Sequence, residues 1–300
     1  MLKGFICPDG KKVEIQDCLS KCRLGEHCLT LPTLRLISQE REWKGVASTT
    51  QLLNGTMLEY LKLTNPYYVD PNDRAFMLSG TQHHKALSDV AQELELPAEV
   101  PLSVDRDIFD LLEIDKGLVL TDYKLWGSFK IVKVLGITEV GKQPDPSGEV
   151  YKTSGKWGKA GSPKMINVFE QLPDKADNWE AELQLNHYRV KLEKLLESFK
   201  IKIDRLQVQA TVRDGGLAMA KSRGVFRNIY KIPVKILDNQ TVKDYFGYKD
   251  DCLKEALAHG WNEPCNKRES WEGRRCNGYC DVAMYCPKGK LVLSLKEAIE

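Results

Sequence analysis

The 300-residue sequence lacks several features, and each absence narrows its chemistry. No apolar run approaches the roughly 20 residues that a membrane-spanning helix needs. The opening Met1-Leu2-Lys3-Gly4-Phe5-Ile6-Cys7 turns polar too soon for a secretory signal. A cytoplasmic protein is expected on both counts. Excess charge of one sign is also missing, because 44 basic and 42 acidic residues leave a net charge of +2. Contact with a polyanion would therefore have to come from a local basic surface. No glycine-rich nucleotide loop follows the cysteine-rich segments, and the C-x3-C-x2-C loop of radical enzymes is absent. An iron–sulfur redox or radical enzyme is disfavoured accordingly.

Cysteine, by contrast, is abundant. Nine cysteines are an odd number, and in a reducing compartment they argue against a disulfide framework. Eight of them fall into two quartets of identical spacing, C-x10-C-x3-C-x5-C: Cys7, Cys18, Cys22 and Cys28 near one end, Cys265, Cys276, Cys280 and Cys286 near the other. Cys252 is left over. The segments around them are rich in charged residues and glycine, such as Asp9-Gly10-Lys11-Lys12 and Gly273-Arg274-Arg275, so buried free thiols in an ordinary core do not explain them. Four thiolates suit a tetrahedral zinc site or a 4Fe-4S cluster. The spacing leaves open which of these is held, and whether ligands from the two ends share one site.

Between the quartets the hydrophobic content of 42% is enough for a core, and the length allows one sizeable domain with appendages or two small ones. Helices are expected near residues 34–44, 49–63, 74–94, 178–199 and 242–258. Extended runs are expected at 100–104, 108–114, 118–125, 205–213 and 228–237. Residues 141–165, rich in Lys, Gly, Pro and Ser, read as a mobile insertion. The order through the middle is helix, three strands, helix, strand.

Within the run 118–125, alternation puts Asp122 and Lys124 on one side, after Leu118 and Leu120. A carboxylate and an ammonium thus end an apolar row, where unpaired charge is costly. An Asp-x-Lys triplet alone is a weak signal, and a solvated strand end is its commoner explanation. Its setting is more informative. Asp110 closes the preceding strand within hairpin reach, His84 lies on the helix before the strands, and Gln184 and Tyr188 stand four apart on the helix that follows.

These residues resemble the RecB-like nucleases, a family that includes the nuclease domains of RecB and AddB and the CRISPR-associated iron–sulfur exonucleases. Its ordered signature is a Gly-x-x-x-His helix, a Gly-x-x-Asp strand, an Asp/Glu-x-Lys strand and a Gln-x-x-x-Tyr helix. Here these motifs fall on Gly80/His84, Asp110, Asp122/Lys124 and Gln184/Tyr188, across residues 75–215. Asp107 stands where the family has glycine. The trio Cys276, Cys280 and Cys286 resembles the family's cluster ligands with one extra residue in the first gap, whereas a full N-terminal quartet is not part of that pattern.

The resemblance implies an α/β fold of the restriction-endonuclease-like PD-(D/E)XK type, with a central mixed sheet flanked by helices and a four-cysteine metal module at each end. Expected boundaries are 1–30 for the first module, 31–250 for the nuclease core and 251–300 for the last helix and second module. It further implies a phosphodiester hydrolase, an exonuclease acting on DNA that is single-stranded or has a free end. Asp110 and Asp122 offer hard oxygen ligands for Mg²⁺ or Mn²⁺, with His84 completing the set. Lys124 would orient the attacking water, and Gln184 and Tyr188 would position Lys124 or the DNA backbone. His83, about 100° away on the helix, is expected to be exposed or structural. Arg213, Lys221, Arg223, Arg227 and Lys231 are candidate phosphate contacts. Partner proteins of recombination, repair, phage or CRISPR systems are not legible. The alternative is a non-catalytic nucleic-acid-binding protein with two zinc-ribbon-like modules.

Overall fold

The computed structural model describes residues 1–102, 107–156 and 158–298. Strands β1 (Leu2–Ile6) and β2 (Lys12–Glu14) form an antiparallel hairpin, and α1 (Ile15–Ser20) follows. Helices α2 (Leu31–Ile37), α3 (Thr49–Leu53) and α4 (Thr56–Thr64) lead to β3 (Tyr67–Val69), which lies parallel to β1 and completes a three-stranded sheet. The long helix α5 (Ala75–Glu93) precedes β4 (Ala98–Pro101), β5 (Ile108–Ile114) and β6 (Leu118–Trp126). Helix α6 (Ser128–Leu135) and the hairpin of β7 (Ile137–Pro144) and β8 (Met165–Gln171) come next. The chain continues through α7 (Trp179–Leu195), β9 (Arg205–Val212), α8 (Ala218–Lys221), β10 (Ile229–Val234), α9 (Asn239–His259) and α10 (Pro287–Glu297). Among the described residues no helix is long and apolar enough to cross a membrane.

The fold is mixed α/β. Its main sheet has the order β10-β9-β6-β5-β4, with β6 and β9 parallel and the other neighbours antiparallel. β6 sits in the middle, and its alternation divides the core. Leu120 joins Leu206, Val208, Ala210 and the α7 residues Ala181, Leu185, Tyr188 and Leu192. Tyr123 points to the cluster with Leu111, Ala98 and the α5 residue Ala91. Helices therefore cover both faces, α5 on one side and α7 with α6 on the other, as a sheet with two apolar faces requires. α7 is covered on a second side as well: Leu183 packs with Leu52 of α3 and with Val242, Phe246 and Leu253 of α9.

A separate apolar cluster lies beneath the cysteine segments. Phe5, Cys18, Leu34, Ile37, Met57, Leu58, Leu61, Tyr67 and Val69 share it with Val282, and Cys265, Cys280 and Cys286 pack against its edge. The two ends of the chain thus close on one core built around α4. Residues on both sides of position 30 share this cluster, whereas Ala47 and Leu52 pack with α7 and α9.

Local structure departs from the sequence reading where side chains find distant partners. The helix expected over 34–44 is Leu31–Ile37, with Pro32 inside its first turn rather than ahead of it. It stops there because Glu40 turns away to accept hydrogen bonds from the Leu2 amide and the Tyr67 hydroxyl. The single helix expected over 49–63 is two helices, broken at Asn54-Gly55. A Cβ at Gly55 would stand 2.4 Å from Cys265 Sγ, so only glycine lets the second quartet approach this break. The run expected at 100–104 is β4 at Ala98–Pro101, and residues 103–104 lie outside the described residues. The insertion at 141–165 is framed by the paired strands β7 and β8. Helices α6 and α10 were not anticipated.

Asp107, the departure from the family pattern, has a structural task. It is buried and accepts hydrogen bonds from the Thr49 amide at 2.8 Å and the Thr49 hydroxyl at 2.7 Å, and it pairs with Lys191 at 2.6 Å. Having given its proton to Asp107, the Thr49 hydroxyl accepts from His187 Nδ1 at 2.8 Å. The network fastens the start of α3 to β5 and α7. Asp107→Ala would strand the buried Thr49 amide, so it should cost about 2 kcal/mol of stability. Urea denaturation followed by circular dichroism measures this loss.

Candidate active site

Strands β5 and β6 pair with Leu111 opposite Thr121 and Leu112 opposite Leu120. The register ends at the Leu111–Thr121 pair, and Asp110 and Asp122 lie just beyond it on the two strands, close enough that the charge of Asp110 acts on Asp122. Both carboxylates are buried. The sequence motif thus becomes a cross-strand pair of acids, and such a pair must be neutralised.

Each acid has its own cation. Lys124, two residues beyond Asp122, places Nζ 2.7 Å from Asp122 Oδ2, and about a quarter of the lysine side chain stays exposed. The contact is an ion pair rather than a directed hydrogen bond, and Asp122 Oδ2 is a buried oxygen that accepts none. On its other side Asp122 Oδ1 faces Gln184 Nε2 of α7 at 3.4 Å, and the same amide reaches the Tyr188 hydroxyl at 3.2 Å. Burial pushes the Asp122 carboxyl up to about 6; Lys124 opposes this and the charge of Asp110 adds to it. For Lys124, burial works against the ammonium, but the Asp122 and Asp110 carboxylates outweigh it and hold its pKa above the ordinary value. Tyr188 is raised as well, by burial first and then by Asp122.

Asp110 meets His84 from α5. His84 Nδ1 lies 3.5 Å from Asp110 Oδ2 and 3.5 Å from Glu99 Oε1 on β4, while Asp110 Oδ2 also accepts the Tyr123 amide at 2.6 Å. Hydrogen bonding to Asp110 and then Glu99 raises His84 to about 10. Ligand atoms of His84, Glu99 and Asp110 all fall within 4.8 Å of one another, a spacing that fits one divalent ion among hard ligands. They open into a cleft of about 780 Å³ that Tyr188 also lines.

The six residues singled out from the sequence therefore lie around one site, in two linked groups. His84 and Asp110 form one group, while Asp122, Lys124, Gln184 and Tyr188 form the other. Glu99 was missed. Its backbone is in the left-handed region at φ 51°, an arrangement that short-range patterning does not signal. His83, expected to be exposed or structural, is partly buried and packs edge-on to Tyr123, with Nε2 3.4 Å from the Thr211 hydroxyl.

The cysteines assemble as two local sites. Cys265, Cys276, Cys280 and Cys286 line one small cavity of about 30 Å³ with Leu58, Leu61 and Gly289. Burial, then Glu269, pushes the Cys265 thiol up to about 11. In the other quartet burial raises the Cys18 thiol, and Cys28, Cys7 and Cys22 each add to it, which makes the four neighbours. No disulfide joins them. The local supports differ: Cys18 lies on α1, whereas Cys276 ends a 3-10 turn. The equal spacing is thus met by unlike backbones.

Comparison with models of known protein families, with curated proteins and with solved structures finds no match for the chain.

Because His84 carries a proton across neutral pH, a divalent ion that takes it as a ligand must displace that proton. Affinity for Mn²⁺ should then rise about tenfold per pH unit from pH 6.5 to 8.5, with close to one proton released per ion. Calorimetry in buffers of different ionisation enthalpy reads both numbers, and His84→Gln should flatten the dependence.

Proposed function

We propose that the chain is a metal-dependent DNA nuclease of the RecB-like PD-(D/E)XK type. The observation that carries this reading is the side-by-side placement of Asp122 and Lys124 across from Asp110, which is itself held against His84. A β4–β5–β6 meander between α5 and α7, with β9 parallel to β6, agrees with the order expected of that core.

In this reading Asp110, His84 and Glu99 would hold Mg²⁺ or Mn²⁺, with the buried Asp122 carboxylate, paired with Lys124, adding an oxygen. When bound, the ion acidifies water and offsets charge on the phosphate. Lys124 lies where it can orient a nucleophilic water toward phosphorus and meet the negative charge that grows on the non-bridging oxygens. Gln184 keeps Asp122 turned toward Lys124 and shares its amide with Tyr188, so α7 fixes the angle of the pair. Glu99 and Asp110 restrict His84 to one ring orientation.

The cysteine quartets serve in this reading as structural centres that tie both chain ends to α4. A single tetrahedral zinc draws its sulfurs to about 3.8 Å, given a Zn–S bond of about 2.3 Å. A 4Fe-4S cluster needs its thiolates around a larger body. The trio Cys276, Cys280 and Cys286, which resembles the cluster ligands of the iron–sulfur branch, favours the cluster in this reading.

Two measurements test these assignments. Purified protein should degrade linear DNA with Mg²⁺ or Mn²⁺ and not with EDTA. Asp122→Ala should remove this activity, and Lys124→Ala should lower it by about 10²–10³-fold without unfolding the chain. Full activity in Asp122→Ala would refute the site, and a well-folded wild type that never cleaves would favour a non-catalytic binding protein. Separately, anaerobic purification should give a brown protein with broad visible absorption, and Cys280→Ser should reduce it. A colourless protein with two zinc ions would overturn the cluster assignment.

A further inference from the structure

A second groove, of about 600 Å³, runs between α6, the start of α7 and the C-terminal cysteine module. Its lining is unusual in kind, since every residue is charged or aromatic. Five basic side chains face three acidic ones, with four aromatic rings between them. Phe129 and Tyr279 are 53% and 70% exposed, and Tyr279 lies 6.1 Å from the Trp271 ring. Guanidinium groups already cover three of the ring faces: Arg274 sits 5.0 Å from the Phe129 centroid, Arg268 5.3 Å from that of Trp179 and Arg275 4.7 Å from that of Trp271. A protein helix or strand would need aliphatic walls, and here there are none. Flat rings interleaved with cations suit a chain of bases joined by phosphates.

The groove also leads somewhere. Glu180, which accepts from Lys130 at 2.6 Å, is in its wall. Gln184 lies one turn further along α7 beside Asp122, and Tyr188 one turn beyond lines the metal cleft. Eight residues of helix span about 12 Å, the length of about two nucleotide steps. One face of α7 therefore connects the aromatic groove to the cleft.

We propose that this groove is the track for single-stranded DNA entering the cleft, with bases stacked on Phe129, Trp271 and Tyr279 and phosphates met by Arg213, Arg268 and Arg274. The proposal rests on the nuclease reading for its destination but not for its binding chemistry. Stacking displaces the guanidinium groups from the ring faces and frees them for phosphate oxygens. A duplex, whose bases are already stacked, gains nothing from the rings.

Fluorescence anisotropy with a labelled 15-mer of thymidine, in buffer without divalent ions, tests this on the full chain. Phe129→Ala combined with Tyr279→Ala should weaken binding by about tenfold or more. Phe129→Trp combined with Tyr279→Trp should restore it, and Arg274→Gln should lower the salt slope by about 0.7. Unchanged affinity in the double alanine variant, no binding by wild type, or equal loss on a blunt duplex would each overturn the track. Metal-dependent cleavage by the wild type is scored separately, so failure of the groove and failure of the active site give different results.

Discussion

The pairing of β5 with β6 is the constraint on which the site depends. It brings two buried acids, Asp110 and Asp122, close together on neighbouring strands of a sheet that is covered on both faces. Adjacent like charges in a partly desolvated place are unfavourable, and the molecule answers with a separate cation for each. Lys124 comes from the same strand as Asp122, two residues on, while His84 arrives from α5 on the far side of Tyr123. A slip of one residue would send Asp122 and Lys124 to the α5 face and leave Thr121 and Tyr123 in their place.

Helix α7 converts this strand pair into a defined geometry. It is the one helix packed on the sheet, on α3 and on α9 at once, and its buried polar residues are all engaged. Asn186 bonds to the carbonyls of Glu182 and Lys235 and to the Leu237 amide, while Arg189 joins Asn186, Glu193, Leu237 and Asn239. A helix held this firmly by its neighbours presents Gln184 and Tyr188 with little freedom. Positioning of the acid–ammonium pair is therefore a property of the core, not of a loop.

The parts of this arrangement differ in how far they were legible in the sequence. The acids, Lys124, Gln184 and Tyr188 follow from period-two and period-four spacing on elements that did form, so their faces could be read directly. The cysteine quartets were legible from spacing alone. Glu99 was not, because a left-handed residue at a strand start breaks the alternation that would have revealed it. Asp107 was visible only as a mismatch; its meaning lies in Thr49, 58 residues away, and Lys191, 84 residues away. The break at Asn54-Gly55 likewise has its cause in Cys265, at the other end of the chain. Local patterning thus exposed residues whose partners are near in sequence, and long-range contacts hid the others. Among the candidate phosphate contacts, Arg223 is engaged with the Ser128 hydroxyl and Asp214, and Arg213 stacks on Phe76.

The shared core under the cysteine segments has a consequence for biosynthesis. Phe5 and Leu34 leave the ribosome long before Val282, which is fully buried in the same cluster. Tyr285 and Asp281 close over Pro66 and Lys62. Strands β1 and β3 must therefore wait, incompletely covered, while the whole central sheet is synthesised. Their cluster is completed only when the segment around Val282 arrives.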